Sequence, residues 1–170
     1  MEAQPGTQAG RGQHTLREIV SQPYGWGKAF AMIEARRDEI LAAWAKVQPQ
    51  QIIVTGCGST HYLSQSVAAL LQTLTGVPAR GLPASEIVLF PSQTLYRPDQ
   101  TLLLAISRSG TTTETAAAMD KFRSLGGKAI WGITCYPDTP VGQESDFVLL
   151  TGMAQEQSIA QTLSFSTMLY

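Results

Sequence analysis

The chain has 170 residues, of which 44% are hydrophobic and 15% charged, so it is long enough to bury the core of one globular domain. Its formal net charge of −1 gives no basic surface, which argues against nucleic acid as a partner. No apolar stretch approaches the roughly 20 residues that cross a bilayer, and no secretory signal opens the chain, so we expect no membrane partner.

The first part of the chain is predicted to be helical after a disordered start. Residues 1–14 are rich in glycine and glutamine, which favours disorder. A short helix is predicted over 14–22, closed by Pro23, and a longer helix over about 28–47. Residues 15–49 are therefore assigned to N-terminal helices that precede the main domain.

From residue 50 onward, short apolar runs alternate with helical segments. Strands are predicted at 51–55, 77–82, 101–106, 128–135 and 146–150. Helices are predicted at 62–75, 83–90, 112–125, 142–144 and 157–170. This alternation predicts an α/β fold, in which a doubly wound, five-stranded parallel sheet carries helices on both faces and forms three layers.

Two loops of the predicted fold carry glycine and hydroxyl side chains. The glycine loop, 56–60, reads Gly-Cys-Gly-Ser-Thr and follows the first strand, whereas the hydroxyl loop, 107–113, reads Ser-Arg-Ser-Gly-Thr-Thr-Thr and follows the third. Hydroxyls and unpaired helix-start amides bind phosphate, and ligands of such sheets lie beyond the carboxyl ends of the strands. An ordinary capped turn is the alternative, but it would need only one of the five hydroxyls. The two loops together predict an anion site.

Individual residues of these loops refine the prediction. Arg108 adds a permanent positive charge, and Gly110 permits a tight turn. Dinucleotide binding is a weaker alternative, because His61 stands where the glycine fingerprint needs its last glycine. Cys57 and Cys135 have no metal-type spacing and are expected to be buried, reduced thiols, which suits the cytoplasm. We predict neither a metal site nor a cofactor.

Four stretches of the chain, in order, resemble the SIS (sugar isomerase) domain family. They are 16–23, 56–60, 107–112 and 156–162, and Pro83-Ala-Ser-Glu86 resembles a fifth motif. The likeness is to double-SIS members, such as the isomerase half of glucosamine-6-phosphate synthase and related sugar-phosphate deaminases. It implies a flavodoxin-like sheet, and it makes 50–170 the first of two SIS domains, truncated at its final helix.

The resemblance also implies a site, because the family's serine-rich loop holds the phosphate of a phosphorylated sugar. The matching positions in this sequence are Gly58, Ser59, Thr60, Ser107, Arg108, Ser109, Gly110, Thr112, Gln161 and Thr162. The chain departs from the synthase pattern: Gln161-Thr162-Leu163 replaces serine, threonine and lysine, Thr111 replaces glutamate, and Arg108 replaces glutamine. These departures favour a different sugar phosphate.

The residues for proton transfer are less well defined. Glu86, His61 and Glu156 are the ionisable candidates, and no two of them have a spacing that identifies an acid–base pair. Each also has a structural interpretation: His61 on a helix surface, Glu86 bonded to backbone, and Glu156 at a helix start. The resemblance implies that the base comes from the second SIS domain.

The function implied by the resemblance is sugar-phosphate binding within an aldose–ketose isomerase or an amino-sugar-phosphate deaminase. This chain alone is expected to lack the full catalytic set. The alternative is a non-catalytic sugar-phosphate sensor, although the residues before Gln51 lack the room and the basic charge for a helix-turn-helix domain. A homodimer, or pairing with a second SIS domain, is predicted through an apolar face of the final helix, formed by Ile159, Leu163, Phe165 and Leu169.

Overall fold

The computed structural model describes residues 12–170, which form one parallel sheet and its flanking helices. The strands are β1 (Gln51–Gly56), β2 (Ala79–Pro83), β3 (Thr101–Ser107), β4 (Ala129–Thr134) and β5 (Phe147–Leu150). Their spatial order is β2-β1-β3-β4-β5, and every neighbouring pair is parallel. The predicted five-stranded, doubly wound α/β fold of flavodoxin-like order is therefore confirmed.

Eight α-helices accompany this sheet in the described part of the chain. They are α1 (Gln13–Ala35), α2 (Arg37–Val47), α3 (Ser59–Thr75), α4 (Ala84–Leu89), α5 (Pro91–Thr94), α6 (Thr113–Ser124), α7 (Pro140–Glu144) and α8 (Leu163–Leu169). Short 3₁₀ turns occupy Pro98–Gln100 and Gly152–Ala154. Within residues 12–170, no helix is long and apolar enough to cross a membrane.

The sheet is buried on both faces, which explains its apolar strands. On one face, Ile53, Leu103 and Ile130 pack against Met119 and Phe122 of α6. On the other face, side chains of β1 and β3 pack against α3 and α8, in a cluster formed by Ile52, Val54, Leu104, Ile106, Leu63, Ala68 and Met168. Helices α3 and α6 therefore lie on opposite faces, and the molecule has the three predicted layers.

The N-terminal helices differ from the prediction. Helix α1 begins at Gln13, so the predicted disorder is wrong at residues 13 and 14, while residues 1–11 lie outside the described part. It also continues through Pro23 rather than ending there. Packing explains this, because α1 lies against α8 at the buried Gly25, and tertiary packing outweighs the missing hydrogen bond of one proline. The helix predicted over 28–47 is divided at Arg36.

The end of the chain also differs. Helix α8 covers only Leu163–Leu169, and residues 155–162, called the strap below, are irregular. The amides of the strap bind the carboxylates of Glu18 and Glu156 instead of helical carbonyls. The predicted apolar helix face is wrong for the same reason: Ile159 is 94% exposed outside the helix, whereas Leu163 is buried.

Candidate functional site

The glycine loop and the hydroxyl loop meet at the carboxyl edge of the sheet. Strands β1 and β3 are neighbours, but the chain continues from β1 to one side of the sheet and from β3 to the other. The helices that follow them, α3 and α6, lie on opposite faces, so the winding of the sheet reverses between the two loops. Such a switch point is where doubly wound folds bind ligands.

Three hydroxyl groups of the hydroxyl loop converge at this edge. Ser107 Oγ lies 3.1 Å from Thr112 Oγ1, and Ser109 Oγ lies 3.5 Å from the same atom. The amide of Gly110 donates to Ser107 Oγ at 3.1 Å, and the amide of Thr111 donates to Ser109 Oγ at 3.3 Å. The two contacts among these three hydroxyls use two of their three protons, with either partner able to donate, so at least one proton remains for a ligand oxygen.

The backbone of this loop is fixed from both sides. Gly110 has φ 68°, and its amide and carbonyl bind Ser107 and Val141. A Cβ at Gly110 would collide with the hydroxyl group of Thr139 and would lie 2.8 Å from Thr134 Oγ1. Glycine is therefore required at this position by both conformation and space.

Helix α6 begins at Thr113, the last residue of the hydroxyl loop, and the side chain of its N-cap residue does not cap it. Thr112 occupies the N-cap position, but its side chain makes no capping hydrogen bond, because it faces the serines instead. Thr115, in the first turn, is fully buried and its hydroxyl has no partner. Open amides and the helix dipole make this a favourable position for an anion.

The glycine loop contributes its backbone more than its hydroxyl groups. Gly58 has φ 61° and ψ −125°, and Ser59 begins α3 in an exposed position. Thr60 is buried, and its hydroxyl is used within the loop, where it donates to the Cys57 carbonyl at 2.9 Å and accepts from the Cys57 amide at 3.0 Å. Thr60 thus shapes the turn, while Gly58 and Ser59 line its outside.

The Cys57 side chain links the two loops. Its half-buried thiol lies beside the Glu114 carboxylate, in the first turn of α6. Burial and the negative charge of Glu114 raise the pKa of this thiol. Burial also raises the pKa of Cys135, which is almost fully buried. Both cysteines are free thiols, although only Cys135 is as buried as expected.

Arg108 does not direct its guanidinium group at the hydroxyl cluster. Its Nη1 donates to the Ser158 carbonyl at 3.0 Å and to the Ile159 carbonyl at 3.4 Å, and it lies 3.6 Å from Glu156 Oε2. The positive charge therefore holds the strap beside the hydroxyl loop. In this conformation only the backbone of Arg108 belongs to the phosphate-type site.

Glu156 is completely engaged in structure. Its buried carboxylate accepts hydrogen bonds from the amides of Thr162 and Leu163, both at 2.7 Å, and from the hydroxyls of Thr162 and Ser164. It therefore caps α8 from within the strap. Gln161, which directly precedes Thr162 in the strap, has a buried side-chain oxygen without a partner.

The other two proton-transfer candidates lie at the same edge of the sheet but not together. Glu86 is exposed in the first turn of α4, after the edge strand β2. His61 lies in the first turn of α3, with Nε2 3.1 Å from Gln65 Nε2 and a buried Nδ1 that has no partner. No acid–base pair is formed by these residues.

Glu18, on α1, binds the strap, and the sequence interpretation missed it. Its buried carboxylate accepts hydrogen bonds from the Gln157 amide at 2.7 Å, the Ser158 amide at 3.2 Å and the Ser158 hydroxyl. Burial raises the pKa of this carboxyl, but these hydrogen bonds outweigh burial, so the pKa lies below its usual value. Its position in the first resembling motif was the available signal.

A separate cavity lies at the opposite, amino edge of the sheet. It has a volume of about 410 Å³, and its lining includes Lys46, Asp99, Lys128, Trp131 and Phe147. It shares no residue with either loop. In the described part of the chain, no three His, Cys, Asp or Glu side chains are grouped so that they could hold a metal ion.

The family comparison agrees with this geometry. Residues 47–170 match the SIS domain family model, so the chain belongs to that family. The match includes both loops and the strap.

Curated relatives resemble almost the whole chain. A glutamine–fructose-6-phosphate aminotransferase (isomerizing) of Pseudomonas putida is 31% identical over 162 residues, which are 91% of this chain and 26% of that protein. The enzyme of the same name from Pyrobaculum aerophilum is 29% identical over 165 residues, which are 97% of this chain and 26% of that protein. The chain thus spans about a quarter of the length of these relatives.

Solved structures share the fold. Tagatose-6-phosphate ketose/aldose isomerase from Escherichia coli superimposes with a TM-score of 0.83 at 25% identity, over 93% of this chain and 45% of that one. The C-terminal domain of glucosamine-fructose-6-phosphate aminotransferase from Francisella tularensis superimposes with a TM-score of 0.79 at 23% identity, over 96% of this chain and 46% of that one. The second likeness concerns the fold alone.

Proposed function

We propose that this chain is the sugar-phosphate-binding domain of an aldose–ketose isomerase or an amino-sugar-phosphate deaminase. The observation that carries the proposal is the convergence of Ser107, Ser109 and Thr112 at the uncapped start of α6. Membership of the SIS family supports it, as do the names of the similar enzymes, which act on phosphorylated ketoses.

The phosphate would occupy the space in front of the hydroxyl cluster. The hydroxyl groups of Ser107, Ser109 and Thr112 share two hydrogen bonds among themselves, so at least one of their protons can be donated to it. The first amides of α6 add partial positive charge. In this conformation the Arg108 side chain binds the strap, so the phosphate would be held by hydroxyls and backbone amides.

The sugar would lie between the glycine loop and the strap. Gly58 and Ser59 border this space from α3, and Gln161 and Thr162 would border it from the strap. The Gln161 oxygen is buried and has no partner, so the side chain would have to turn toward this space to accept a hydrogen bond from a sugar hydroxyl. The departures at Gln161 and Thr111 favour a sugar phosphate other than the synthase's substrate.

Proton transfer between neighbouring carbons needs a base that can release and recover a proton. Glu156 cannot easily serve, because its buried carboxylate accepts four hydrogen bonds from strap and α8 residues. We therefore propose that the base comes from a second SIS domain or another copy of this chain, in a cytoplasmic enzyme. The exposed apolar residues of α1, Leu16, Ile19, Val20, Tyr24 and Phe30, offer a surface for that association.

Calorimetric titration with fructose 6-phosphate tests the phosphate assignment. Ser107→Ala with Ser109→Ala should weaken binding by at least ~2 kcal/mol, because each hydrogen bond to a charged group contributes about 1.5–3 kcal/mol. Ser66→Ala with Ser92→Ala, two exposed serines away from the loops, is the matched control. Unchanged affinity in the first variant would refute the assignment.

A second measurement tests where the base lies. The chain is incubated in deuterated water with fructose 6-phosphate or glucosamine 6-phosphate, and the sugar is followed by NMR. We expect binding without deuterium incorporation beside the carbonyl carbon. Incorporation would show that a base is already present, and His61 and Glu86 would be the first residues to replace. Absence of exchange in an assembled double-SIS protein would favour the sensor alternative.

A further inference from the structure

The strap is held almost entirely by polar contacts. Its only large apolar side chain, Ile159, is 94% exposed, so burial of apolar surface does not fix the strap. A cavity of about 370 Å³ lies on its α1 side, with Glu18, Glu156 and Tyr136 among the lining residues. The position of the strap therefore depends on the charged groups that bind it.

Ser158 is the residue on which these contacts converge. Its amide and hydroxyl donate to the Glu18 carboxylate, and its carbonyl accepts from Arg108 Nη1 at 3.0 Å. One residue of the strap is thus held by opposite charges from two elements, α1 and the hydroxyl loop. Arg17, next to Glu18, adds a hydrogen bond of 2.9 Å to the Gln157 side chain.

We propose that Glu18 and Arg108 are positioning residues that clamp Ser158 and hold the strap beside the sugar end of the site. Helix α1 then contributes to sugar recognition without touching the ligand. The proposal rests on the proposed function. It implies that phosphate recognition by the hydroxyl loop and sugar recognition by the strap can be separated by mutation.

The experiment compares fructose 6-phosphate with inorganic phosphate on the full chain and on Glu18→Gln. The variant should weaken fructose 6-phosphate binding about tenfold, since hydrogen bonds to a charged group are lost. It should leave inorganic phosphate binding within about twofold, because Glu18 does not contact the hydroxyl loop. Glu34→Gln, an exposed carboxylate on the same helix, is the matched control and should change neither affinity.

A double-mutant cycle tests the shared role of the clamp. If Glu18 and Arg108 act through the same strap, Glu18→Gln and Arg108→Gln together should weaken fructose 6-phosphate binding by less than the product of their separate effects. Independent, multiplicative effects would overturn the proposal. In Glu18→Gln, amide hydrogen exchange should be faster at strap residues 157–162 and unchanged in α6.

The outcomes separate the two proposals. Wild-type chain that binds neither ligand refutes the proposed function, and the clamp with it. Wild-type chain that binds both ligands, with Glu18→Gln behaving like wild type or losing both ligands equally, refutes the clamp alone.

Discussion

The carboxylate of Glu156 accepts a hydrogen bond of 2.7 Å from the backbone amide of Leu163 and so starts the last helix of the chain. The carboxylate is completely buried and has three further donors in Thr162 and Ser164. A residue considered for proton transfer is therefore a helix cap. Its negative charge is compensated by hydrogen bonds and by nearby Arg108.

Glu156→Gln should destabilise the protein by about 1.5–3 kcal/mol, because charged hydrogen bonds are lost and an amide group must face the Ser164 hydroxyl. Urea unfolding measures the change. Glu144→Gln, an exposed carboxylate in α7, should stay within about 0.5 kcal/mol of wild type. Equal stability of the two variants would contradict the capping role.

Glu18 gives the stability a specific pH dependence. Its pKa is lower in the folded protein than in the unfolded chain, because hydrogen bonds from Ser158 and Gln157 outweigh the effect of burial. Its contribution is fully present above the unfolded pKa and is lost as the pH falls through the folded pKa.

The stability difference between wild type and Glu18→Gln should therefore be constant above about pH 5.5 and should shrink in more acidic solution. Urea unfolding at a series of pH values measures it. A difference that grows on acidification would show that the folded pKa is raised, not lowered.

Two glycines of α1 should respond oppositely to alanine. A Cβ at Gly25 would lie 2.5 Å from Leu163 Cδ1 and 2.9 Å from Thr167 Oγ1, so Gly25→Ala forces α1 away from α8. We expect a loss of about 1–3 kcal/mol. A Cβ at Gly27 would have no atom within 4 Å, so Gly27→Ala should raise the free energy of unfolding by about 0.5–1 kcal/mol through helix propensity. Thermal unfolding of both variants checks the opposite signs.

The glycine of the hydroxyl loop should be equally intolerant. Gly110 and Gly126 both have positive φ, 68° and 90°, but only Gly110 is crowded, by Thr139 and Thr134. Gly126→Ala should cost about 1–2 kcal/mol from backbone conformation alone. Gly110→Ala should cost more and should abolish fructose 6-phosphate binding. Equal stabilities and retained binding would contradict the geometry of the loop.

The Cys57 thiol reports the proximity of the two loops. Because the Glu114 carboxylate contributes to its raised pKa, Glu114→Gln should lower that pKa and accelerate alkylation by iodoacetamide at pH 8. Asp120→Asn, an exposed change farther along α6, should leave the rate unaltered. Cys57→Ser identifies the reacting thiol. An unchanged alkylation rate in Glu114→Gln would show that the Glu114 carboxylate does not lie beside the Cys57 thiol.

The sheet could be predicted from the sequence because its signals are local. Runs such as Leu102–Ile106 are buried on both faces and alternate with helical segments, so the parallel sheet and its layers followed from the pattern, whereas the flavodoxin-like arrangement was implied by the resemblance. The hydroxyl loop could be located for the same reason: five of its seven residues carry hydroxyls, and it follows a buried strand.

The strap could not be predicted, because several of its contacts join residues that are far apart in sequence and the others follow no helical spacing. Glu18 and Ser158 are 140 positions apart, and no periodicity links them. Residues 157–162 have enough helix-forming side chains to suggest a helix, but two buried carboxylates bind the amides that a helix would use. Long-range polar contacts here override local propensity.

The start of α6 and the hydroxyl loop are proposed to bind the phosphate of a sugar phosphate. This can be tested by titrating ¹⁵N-labelled protein with fructose 6-phosphate and following the amide chemical shifts, with fructose as the ligand without phosphate. We expect the largest shifts at Gly110 and at residues 113–115, with fructose 6-phosphate only. Shifts confined to the amino-edge cavity, around Lys46 and Lys128, would contradict the proposal.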